Sequence, residues 1–349
     1  MRRIRVIVIF LLLVLGSVYL CNVDLNVDNY VNKLLISLKD VGLINDSKLN
    51  LLEDSGVSFE DYDFDSVYYP YYGLLSEKEK NVYKQIYANA YEGKSTFRLA
   101  EKIKVSEVPK IILFVYNDHP ELFWVNNNYS YKYTDDGYCV QLTLEFNEFV
   151  NDLDYYKTVF ERNAKVIINK AKTFKTDYEK EKYVYDAIIE MSEYDENSEI
   201  NQTAYSALVL NKTVCAGYAK AFQYIMIELG IPTYYVSGEA QGDHAWNIVK
   251  LDDEYYNVDL TWGDQEVIIY NFFNVSDEIL NKTHTRSEIS KLLPICNGKE
   301  YSNLEKTYDI VIGNEDVNEE DSSGDDEVYD ENLLGILRGL VDNGENFQN

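Results

Sequence analysis

Helix-like spacing of apolar positions gives way to strand-like alternation in the first half of the chain. The segment 74–91 places apolar residues four positions apart, after a Ser76/Glu79 pair with capping-box spacing. The segment 111–146 alternates apolar and polar residues and is rich in Ile, Val, Tyr and Phe. These patterns predict an N-terminal α+β subdomain over residues 67–150, with a helix and a small antiparallel sheet.

The second half of the chain shows helical patterns first and strand patterns afterwards. Helices are predicted over 159–171 and after Thr176, and a third begins at about Cys215 and ends at Gly230. Strands are predicted at 233–237, 245–251 and 255–260. Helices followed by strands favour a second α+β domain, over residues 155–312, and not a doubly wound sheet.

The first residues have the pattern of an export signal. Three arginines precede an apolar run at 6–20, which is shorter than the ~20 residues of a spanning helix and typical of a secretory signal. We expect 1–21 to be a cleaved signal peptide or an uncleaved anchor, with the body extracellular or at the cell surface. Lipidation at Cys21 is a third possibility, although Leu20 departs from the small residue of a lipobox.

Acidic residues outnumber basic ones by 60 to 32, and the formal net charge is −28. Nucleic-acid binding needs clustered Lys and Arg, so no nucleic-acid partner is expected. The acidic region 22–66 is predicted to be a linker with one helix near 30–38. The acidic region 313–349 is predicted to be a disordered tail with one amphipathic helix near 333–341. The acids at 316–326 lack the register of an EF-hand loop, so no calcium is expected.

Three cysteines remain if the first belongs to the signal, and an odd number in an exported chain leaves a thiol free. A Cys139–Cys296 disulfide is permitted. Cys215 lies at a predicted helix start, where unpaired N–H groups and the positive helix end favour a thiolate. Its small neighbours Ala216 and Gly217 are expected to leave room for a substrate backbone.

A nucleophilic thiol needs a base and a group that orients the base. His244 lies at the entry to one predicted strand, and Asp259 lies on the strand that returns. With a two-residue turn at Asp252 and Asp253, Trp246 lies directly opposite Asp259. His244 is then the diagonal neighbour of Asp259 on the same face of the sheet. A three-residue turn would put His244 and Asp259 on opposite faces, so an even-length turn is predicted.

Each of these residues also fits a structural role, and the pattern alone leaves a thiol triad and three unrelated residues equally open. His119 and His284 are interpreted as surface or loop residues. A zinc site from Cys215, His244 and Asp259 lacks closely spaced ligand pairs, so no metal and no other cofactor is expected.

Two runs carry a family resemblance: VCAGYAKAF at 214–222 and GDHAWNIVKLDDEYYNVDLTWGD at 242–264. They resemble the transglutaminase-like superfamily of papain-like enzymes, and among these the bacterial exported members. The resemblance covers about 183–274, with weaker similarity at 118–124 and 271–280. It implies an α+β, papain-like core in which helices pack on an antiparallel sheet and the nucleophilic cysteine begins a helix.

Carried over by position, the resemblance implies that Cys215 is the nucleophile, His244 the general base and acid, and Asp259 the residue that orients the imidazole. The Cys215 backbone N–H would bind the oxyanion. Tyr205 is a further oxyanion candidate and Trp246 a candidate wall of the substrate groove, although both also fit as core aromatics.

The implied chemistry is attack on a protein or peptide amide to form a thioacyl-enzyme. Water would then release an acid, whereas an amine would give a new amide, and hydrolysis is the favoured outcome. The competing class is a non-catalytic cell-surface module that binds protein or cell wall on the same fold. The expected partner is a protein or peptide substrate, with cell-wall peptide included. Contact with a membrane is expected only through the N-terminal segment. The sequence selects neither the substrate nor an oligomeric state.

Overall fold

A computed structural model describes residues 56–302 of the protein. The predictions for the signal segment 1–21, most of the linker 22–66 and the tail 313–349 lie outside these residues and stay predictions. Within the described range, no helix is both long and apolar enough to cross a membrane.

The N-terminal part begins with α1 (Pro70–Gly73) and α2 (Glu77–Tyr91). The predicted capping box is confirmed, since the Ser76 N–H donates to Glu79 Oε2 at 2.8 Å. The elements that follow are β1 (Thr96–Lys104), α3 (Val108–Asp118), β2 (Val125–Tyr133) and β3 (Tyr138–Phe146). The three strands form an antiparallel sheet in the order β1-β3-β2, so this part mixes helix and sheet as expected.

The expectation that the sheet begins near Ile111 is wrong, because α3 occupies that stretch. Val108, Ile111 and Val115 are buried at the spacing of one helix face. Pro109 lies in the first turn, where the missing N–H leaves no hydrogen bond unmade. The β-branched composition suggested a strand, but the period of the buried positions is that of a helix.

The second half begins with two long helices, α4 (Leu153–Ala171) and α5 (Asp177–Met191). The predicted cap of α5 is confirmed, since the Glu179 N–H donates to Thr176 Oγ1 at 3.2 Å. Shorter elements and a third long helix follow: β4 (Glu193–Tyr194), α6 (Ala204–Leu208), β5 (Lys212–Thr213) and α7 (Cys215–Glu228). Because α7 contacts α4, α5 and α6, it lies at the centre of this helical layer.

The main sheet has four antiparallel strands in the order β8-β7-β6-β9. The strands are β6 (Thr233–Glu239), β7 (Asp243–Leu251), β8 (Glu254–Val258) and β9 (Thr285–Arg286). Two one-turn helices, α8 (Leu260–Gly263) and α9 (Asp277–Leu280), connect β8 to β9. Helix α7 packs on β6 and β7, which gives the predicted arrangement of helices on an antiparallel sheet. The predicted boundary between the two domains stays a prediction; buried side chains of both parts join one hydrophobic core.

The turn between β7 and β8 has the predicted even length. Leu251 pairs with Glu254, and Asp252 in the turn adopts a left-handed backbone with φ 49°. The ladder ends at Val258, and Asp259 follows it directly as the N-cap of α8. The register of this hairpin therefore fixes the face on which the Asp259 carboxylate lies.

A carboxyl group lies in the core on helix α5. Glu181 on α5 is fully buried, and its Oε2 accepts a hydrogen bond from Asn274 Nδ2 at 2.9 Å. Its Oε1 has no hydrogen-bond partner among the residues described. Burial raises the pKa of Glu181 to about 8, against the opposing hydrogen bond from Asn274. The folded protein therefore holds this carboxyl in its neutral form at pH 7.

This buried acid predicts that stability falls with rising pH. The unfolded chain releases the Glu181 proton near pH ~4.3, whereas the folded chain keeps it until about pH 8. Between these values each pH unit lowers the free energy of unfolding by up to ~1.4 kcal/mol. In thermal unfolding measured across this range, Glu181→Gln should flatten the slope. Glu196→Gln, which removes an exposed carboxylate, should leave it unchanged; equal slopes for both variants would contradict the assignment.

Candidate active site

Cys215 is the first residue of α7, and the fold holds it at the end of a short strand. Strand β5 pairs in parallel with β4, and Val214 between β5 and the helix has an extended backbone. The Gly217 and Tyr218 N–H groups donate to Val214 O, which closes the first turn below the cysteine. The Cys215 thiol is free and partly exposed, so a nucleophilic atom lies beside unpaired N–H groups at a helix start.

Gly217 serves packing and not substrate approach, which corrects the expectation from the sequence. A side chain at this position would collide with Thr213 Oγ1 and Ser206 Oγ, two hydroxyls that hydrogen-bond each other at 2.6 Å. Thr213 Oγ1 also donates to Asn201 O at 2.9 Å. The network sets the helix start close against the preceding loop. Ala216, by contrast, lines the cleft as expected.

His244 on β7 lies between Cys215 and Asp259. Its Nε2 donates to Asp259 Oδ2 at 2.8 Å, which leaves Nδ1 as the nitrogen available to a second partner. The Cys215 side chain lies within hydrogen-bond reach of the His244 ring. The structure thus brings together the three residues that the sequence singled out, in the order thiol, imidazole and carboxylate.

The protonation of His244 is set by these two partners. Burial of the imidazole opposes the charge, but the hydrogen bonds to Asp259 and Cys215, with their negative charges, outweigh it and raise the pKa of His244 to about 9. The ring is therefore an imidazolium at neutral pH. The positive ring thus lies next to the Cys215 sulfur.

Asp259 is fully buried, and its carboxylate accepts hydrogen bonds from three donors. Oδ1 accepts from the Trp262 N–H at 3.1 Å, and Oδ2 accepts from His244 and from His284 Nε2, the latter at 2.9 Å. Burial alone would raise the pKa of Asp259, but the hydrogen bonds from the two histidines hold it below its ordinary value. Asp259 is thus kept ionised and fixed in orientation.

His284 lies in a loop, as one part of the interpretation had it, but it is not a surface residue. It is 1% exposed, and its ring packs against Trp246 and Trp262 at centroid distances of 5.1 and 4.6 Å. Its Nδ1 lies 2.7 Å from Thr283 Oγ1, so both ring nitrogens are engaged. No motif marked this residue. The scarcity of histidine in the chain was the signal in the sequence that could have pointed to it.

His119 is also buried, contrary to expectation, but it lies elsewhere. Its Nδ1 is 2.9 Å from Glu121 Oε1, and its ring packs at 4.1 Å from Tyr87 and 5.0 Å from Tyr69. It is not among the residues that line the Cys215 cleft. Burial among tyrosines gives this histidine a place in the core.

The two aromatic candidates from the sequence do not line the cleft. Tyr205 packs in an aromatic cluster, 4.7 Å from Phe123 and 4.9 Å from Phe149, and this core position rules it out as an oxyanion donor in this structure. Trp246 is 1% exposed and stacks 6.0 Å from the His244 ring. It supports the imidazole from the interior and is not a groove wall.

Cys215 and His244 open onto a cleft of about 670 Å³. Ser237 and Gly238 of β6 form part of its floor, and Gln202 lies on its rim. Charged side chains of both signs surround it: Glu239, Asp243, Arg286, Glu288 and Lys291.

One set of side chains could hold a metal ion among the residues described. Ligand atoms of His244, Asp259 and His284 lie within 4.8 Å of one another. Their N–O distances of 2.8 and 2.9 Å are those of hydrogen bonds, however, so protons on both Nε2 atoms account for the geometry. The permitted Cys139–Cys296 disulfide is absent, since both thiols are free and buried.

Residues 167–260 match the transglutaminase-like superfamily, a range that contains Cys215, His244 and Asp259. The chain therefore carries a transglutaminase-like core, with the α+β fold of that superfamily. No curated protein matches the chain.

Three solved structures are similar to part of the chain at low identity. A crystal structure of a TGase is 18% identical over 39% of this chain and 44% of that chain, with a TM-score of 0.27. A candidate cysteine protease from Cytophaga hutchinsonii is 17% identical over 42% and 64%, with a TM-score of 0.28. The periplasmic domain of TgpA from Pseudomonas aeruginosa is 12% identical over 36% and 54%, with a TM-score of 0.26. The match thus spans about half to two thirds of each of these proteins.

The second histidine on Asp259 gives a testable role. His284→Leu removes a hydrogen bond to a buried carboxylate, which is worth ~1.5–3 kcal/mol, so Asp259 should hold His244 less well. We expect alkylation of Cys215 by iodoacetamide near neutral pH, followed by intact mass, to slow by about tenfold or more. His284→Gln, which keeps an N–H donor, should recover most of the rate.

The control for this experiment is His119→Leu, which removes a buried histidine outside the cleft. It should leave the rate of Cys215 alkylation unchanged even where it lowers the melting temperature. Equal rates for native protein and His284→Leu would show that His284 only fills space.

Proposed function

We propose that the protein is a thiol acyl-transfer enzyme that cleaves or transfers acyl groups at protein or peptide amides. The observation that carries the proposal is the placement of Cys215 beside the His244 ring, with that ring hydrogen-bonded to the buried Asp259 carboxylate at 2.8 Å, at the wall of an open cleft. If these three residues only stabilised the fold, the Cys215 thiol would not need to be partly exposed. The match over 167–260 adds that this fold is one on which such enzymes are built.

The chemistry follows from the protonation states. The Cys215 thiolate attacks the amide carbonyl carbon, and the C=O electron pair moves onto oxygen to form a tetrahedral oxyanion. As the oxyanion collapses, the C–N bond breaks and the His244 imidazolium gives its proton to the departing amine. A thioester on Cys215 and a neutral imidazole remain.

The second half of the reaction uses the neutral imidazole as a base. His244 takes a proton from water or from an incoming amine, whose oxygen or nitrogen attacks the thioester carbonyl. The Cys215 thiolate leaves, and the product is an acid or a new amide. Asp259 keeps its charge throughout and stabilises each imidazolium that forms. Because the cleft is open, water reaches the thioester, and hydrolysis is the favoured outcome.

The oxyanion needs donors at the carbonyl oxygen. The Cys215 backbone N–H lies in the first turn of α7 and points out of the helix start. The Gln202 side-chain amide lines the same cleft and is the second donor that we assign. Two N–H donors at this place form an oxyanion hole, the kind of contact that contributes most to acyl transfer.

Gln202→Ala should therefore slow acyl transfer without affecting the thiol. Loss of one oxyanion donor lowers the rate by about 10²–10³-fold, measured as formation of acyl-enzyme by intact mass. Alkylation of Cys215 by iodoacetamide forms no oxyanion and should keep its rate. A parallel fall in both rates would place Gln202 among the residues that support the thiol, and an unchanged acyl-transfer rate would remove it from the reaction.

The location and partner of the enzyme are also part of the proposal. An export signal at 1–21 would deliver the enzyme to the cell surface or beyond it, where its substrate is a protein or peptide, cell-wall peptide included. The alternative is a cell-surface module that binds such a peptide in the same cleft without chemistry. The transglutaminase-like fold permits either function.

An amine trap separates these alternatives. The full chain is incubated with casein and an excess of a primary amine, and the enzyme and products are read by intact and peptide mass. An acyl adduct on Cys215 with amine incorporated into casein indicates transfer, and an adduct with free acid indicates hydrolysis. Cys215→Ala should abolish both, whereas Cys296→Ala, a buried thiol away from the cleft, should preserve them. If no adduct and no product form with this or any wall-peptide substrate, the binding module is the correct function.

A further inference from the structure

Lys220 is a cation without a carboxylate partner in a strongly acidic protein. It lies on α7, the helix that Cys215 begins, and is half-buried. The chain holds 60 acidic residues, yet in the part of the chain that the structure describes no carboxylate forms an ion pair with Lys220. Its Nζ lies instead over the Tyr235 ring, at 5.6 Å from the centroid. Burial lowers the pKa of Lys220 to about 8, so the ammonium lies where a charge is poorly solvated.

Lys220 is one of the residues that line a small pocket of about 160 Å³. That volume is well above the roughly 10–15 Å³ that one water needs. None of the described residues that line the pocket is an Asp or a Glu. The lining includes the amide-bearing residues Asn126, Asn127 and Gln202, the buried His119, and the apolar Phe123 and Val125. A lysine, amide donors and no acid form a setting for an anion.

The pocket adjoins the Cys215 cleft. Gln202 lines both spaces, so it forms the boundary between them. Tyr235 lines the cleft together with Cys215, and both residues pack against one small cluster of alanines. The Lys220 ammonium lies over the Tyr235 ring, so the lysine is one aromatic ring away from the cleft. A ligand held at Lys220 can thus extend past Gln202 to the thiol.

The charges elsewhere in the cleft indicate on which side a carboxylate would bind. Glu239, Asp243 and Glu288 line the main cleft. Its two cations are paired, Lys291 with Glu288 and Arg286 with Asp277. These acids repel an anionic group, whereas the Lys220 pocket presents none. Among the described residues around the thiol, the unpaired positive charge is that of Lys220.

We propose that Lys220 and the amides around it form a substrate subsite that binds a carboxylate next to the scissile amide. The inference rests on the proposed function and adds the chemical class of its substrate. Two sources offer this group: the C-terminal carboxylate of a peptide, and the side chain of an Asp or Glu near the amide that is attacked.

A series of tethered alkylating reagents tests the subsite. Each reagent is an iodoacetyl amide of a linear amino acid with a terminal carboxylate, and its twin ends in a carboxamide; successive pairs lengthen the spacer. The Cys215 thiolate displaces iodide and forms a thioether, so the rate at each length is read by intact mass without any need for turnover. At one spacer length the carboxylate should react at least about tenfold faster than its twin, the gain of one hydrogen bond to a charged group.

Variants locate the effect. Lys220→Met should abolish the preference at that length and leave the carboxamide rates unchanged. Lys291→Met is the matched control, because it removes the same charge from a lysine that already has a partner in the main cleft. If no length shows a preference, or if Lys220→Met keeps it, the subsite is refuted. If no reagent modifies Cys215, the proposed function fails instead, and the binding experiment below decides the subsite.

Binding to Cys215→Ala protein identifies the source of the carboxylate. Three acetylated tripeptides are compared by calorimetry: Ala-Ala-Gln with a free C-terminus, Ala-Ala-Glu with an amidated C-terminus, and neutral Ala-Ala-Gln amide. One carboxylate peptide should bind at least about tenfold more tightly than the neutral peptide, and Lys220→Met should remove the difference. If the peptide with the free C-terminus binds more tightly, the subsite takes a terminal carboxylate. If the Glu peptide binds more tightly, the subsite takes a side-chain carboxylate. Equal affinity for all three would overturn the proposal.

Discussion

The hydrogen bonds between one buried carboxylate and two imidazoles are the constraint on which the rest of the site depends. Asp259 Oδ2 accepts from His244 at 2.8 Å and from His284 at 2.9 Å, inside a core from which water is excluded. An uncompensated buried charge is strongly destabilising, so the fold must place both rings accurately. The hairpin turn at Asp252 sets the register, and the cap of α8 sets the angle of the carboxylate.

The fold connects this buried charge to a nucleophile at the protein surface. Asp259 lies in the interior, His244 reaches from it to the wall of the cleft, and Cys215 is partly exposed. The exposure of each residue thus suits its role. Asp259 is a fixed, buried anion, the pKa of the His244 ring is raised to about 9, and the Cys215 sulfur is accessible. Trp246 and Trp262 pack around the rings and keep water from competing for their hydrogen bonds.

Local sequence patterns predicted the parts of the site that depend on local structure. The two-residue turn at Asp252 and Asp253 predicted the face that His244 and Asp259 share, and a cysteine before an apolar helix pattern predicted the start of α7. The position of His284 could not be read in this way, because the contact is made by a loop that returns to the sheet after α9.

Other errors have a different cause. Residues 108–118 are rich in β-branched side chains, and their composition outweighed a helical period that the structure shows to be decisive. Tyr205 and Gly217 were assigned to the site from their nearness in sequence to Cys215. Tertiary packing places Tyr205 in an aromatic cluster and uses Gly217 for close contact with Thr213. Distance along the chain did not show which side of the helix start each residue occupies.

The protonation state of His244 is the most direct test of the proposed triad. The chain has three histidines, so their ring signals can be assigned by comparison with His244→Asn in nuclear magnetic resonance spectra recorded across pH. We predict that His244 keeps its second ring proton until about pH 9, and that Asp259→Asn lowers the pH of this transition. A His244 ring that is already neutral at pH 7 would contradict the paired thiol, imidazole and carboxylate on which the proposed reaction rests.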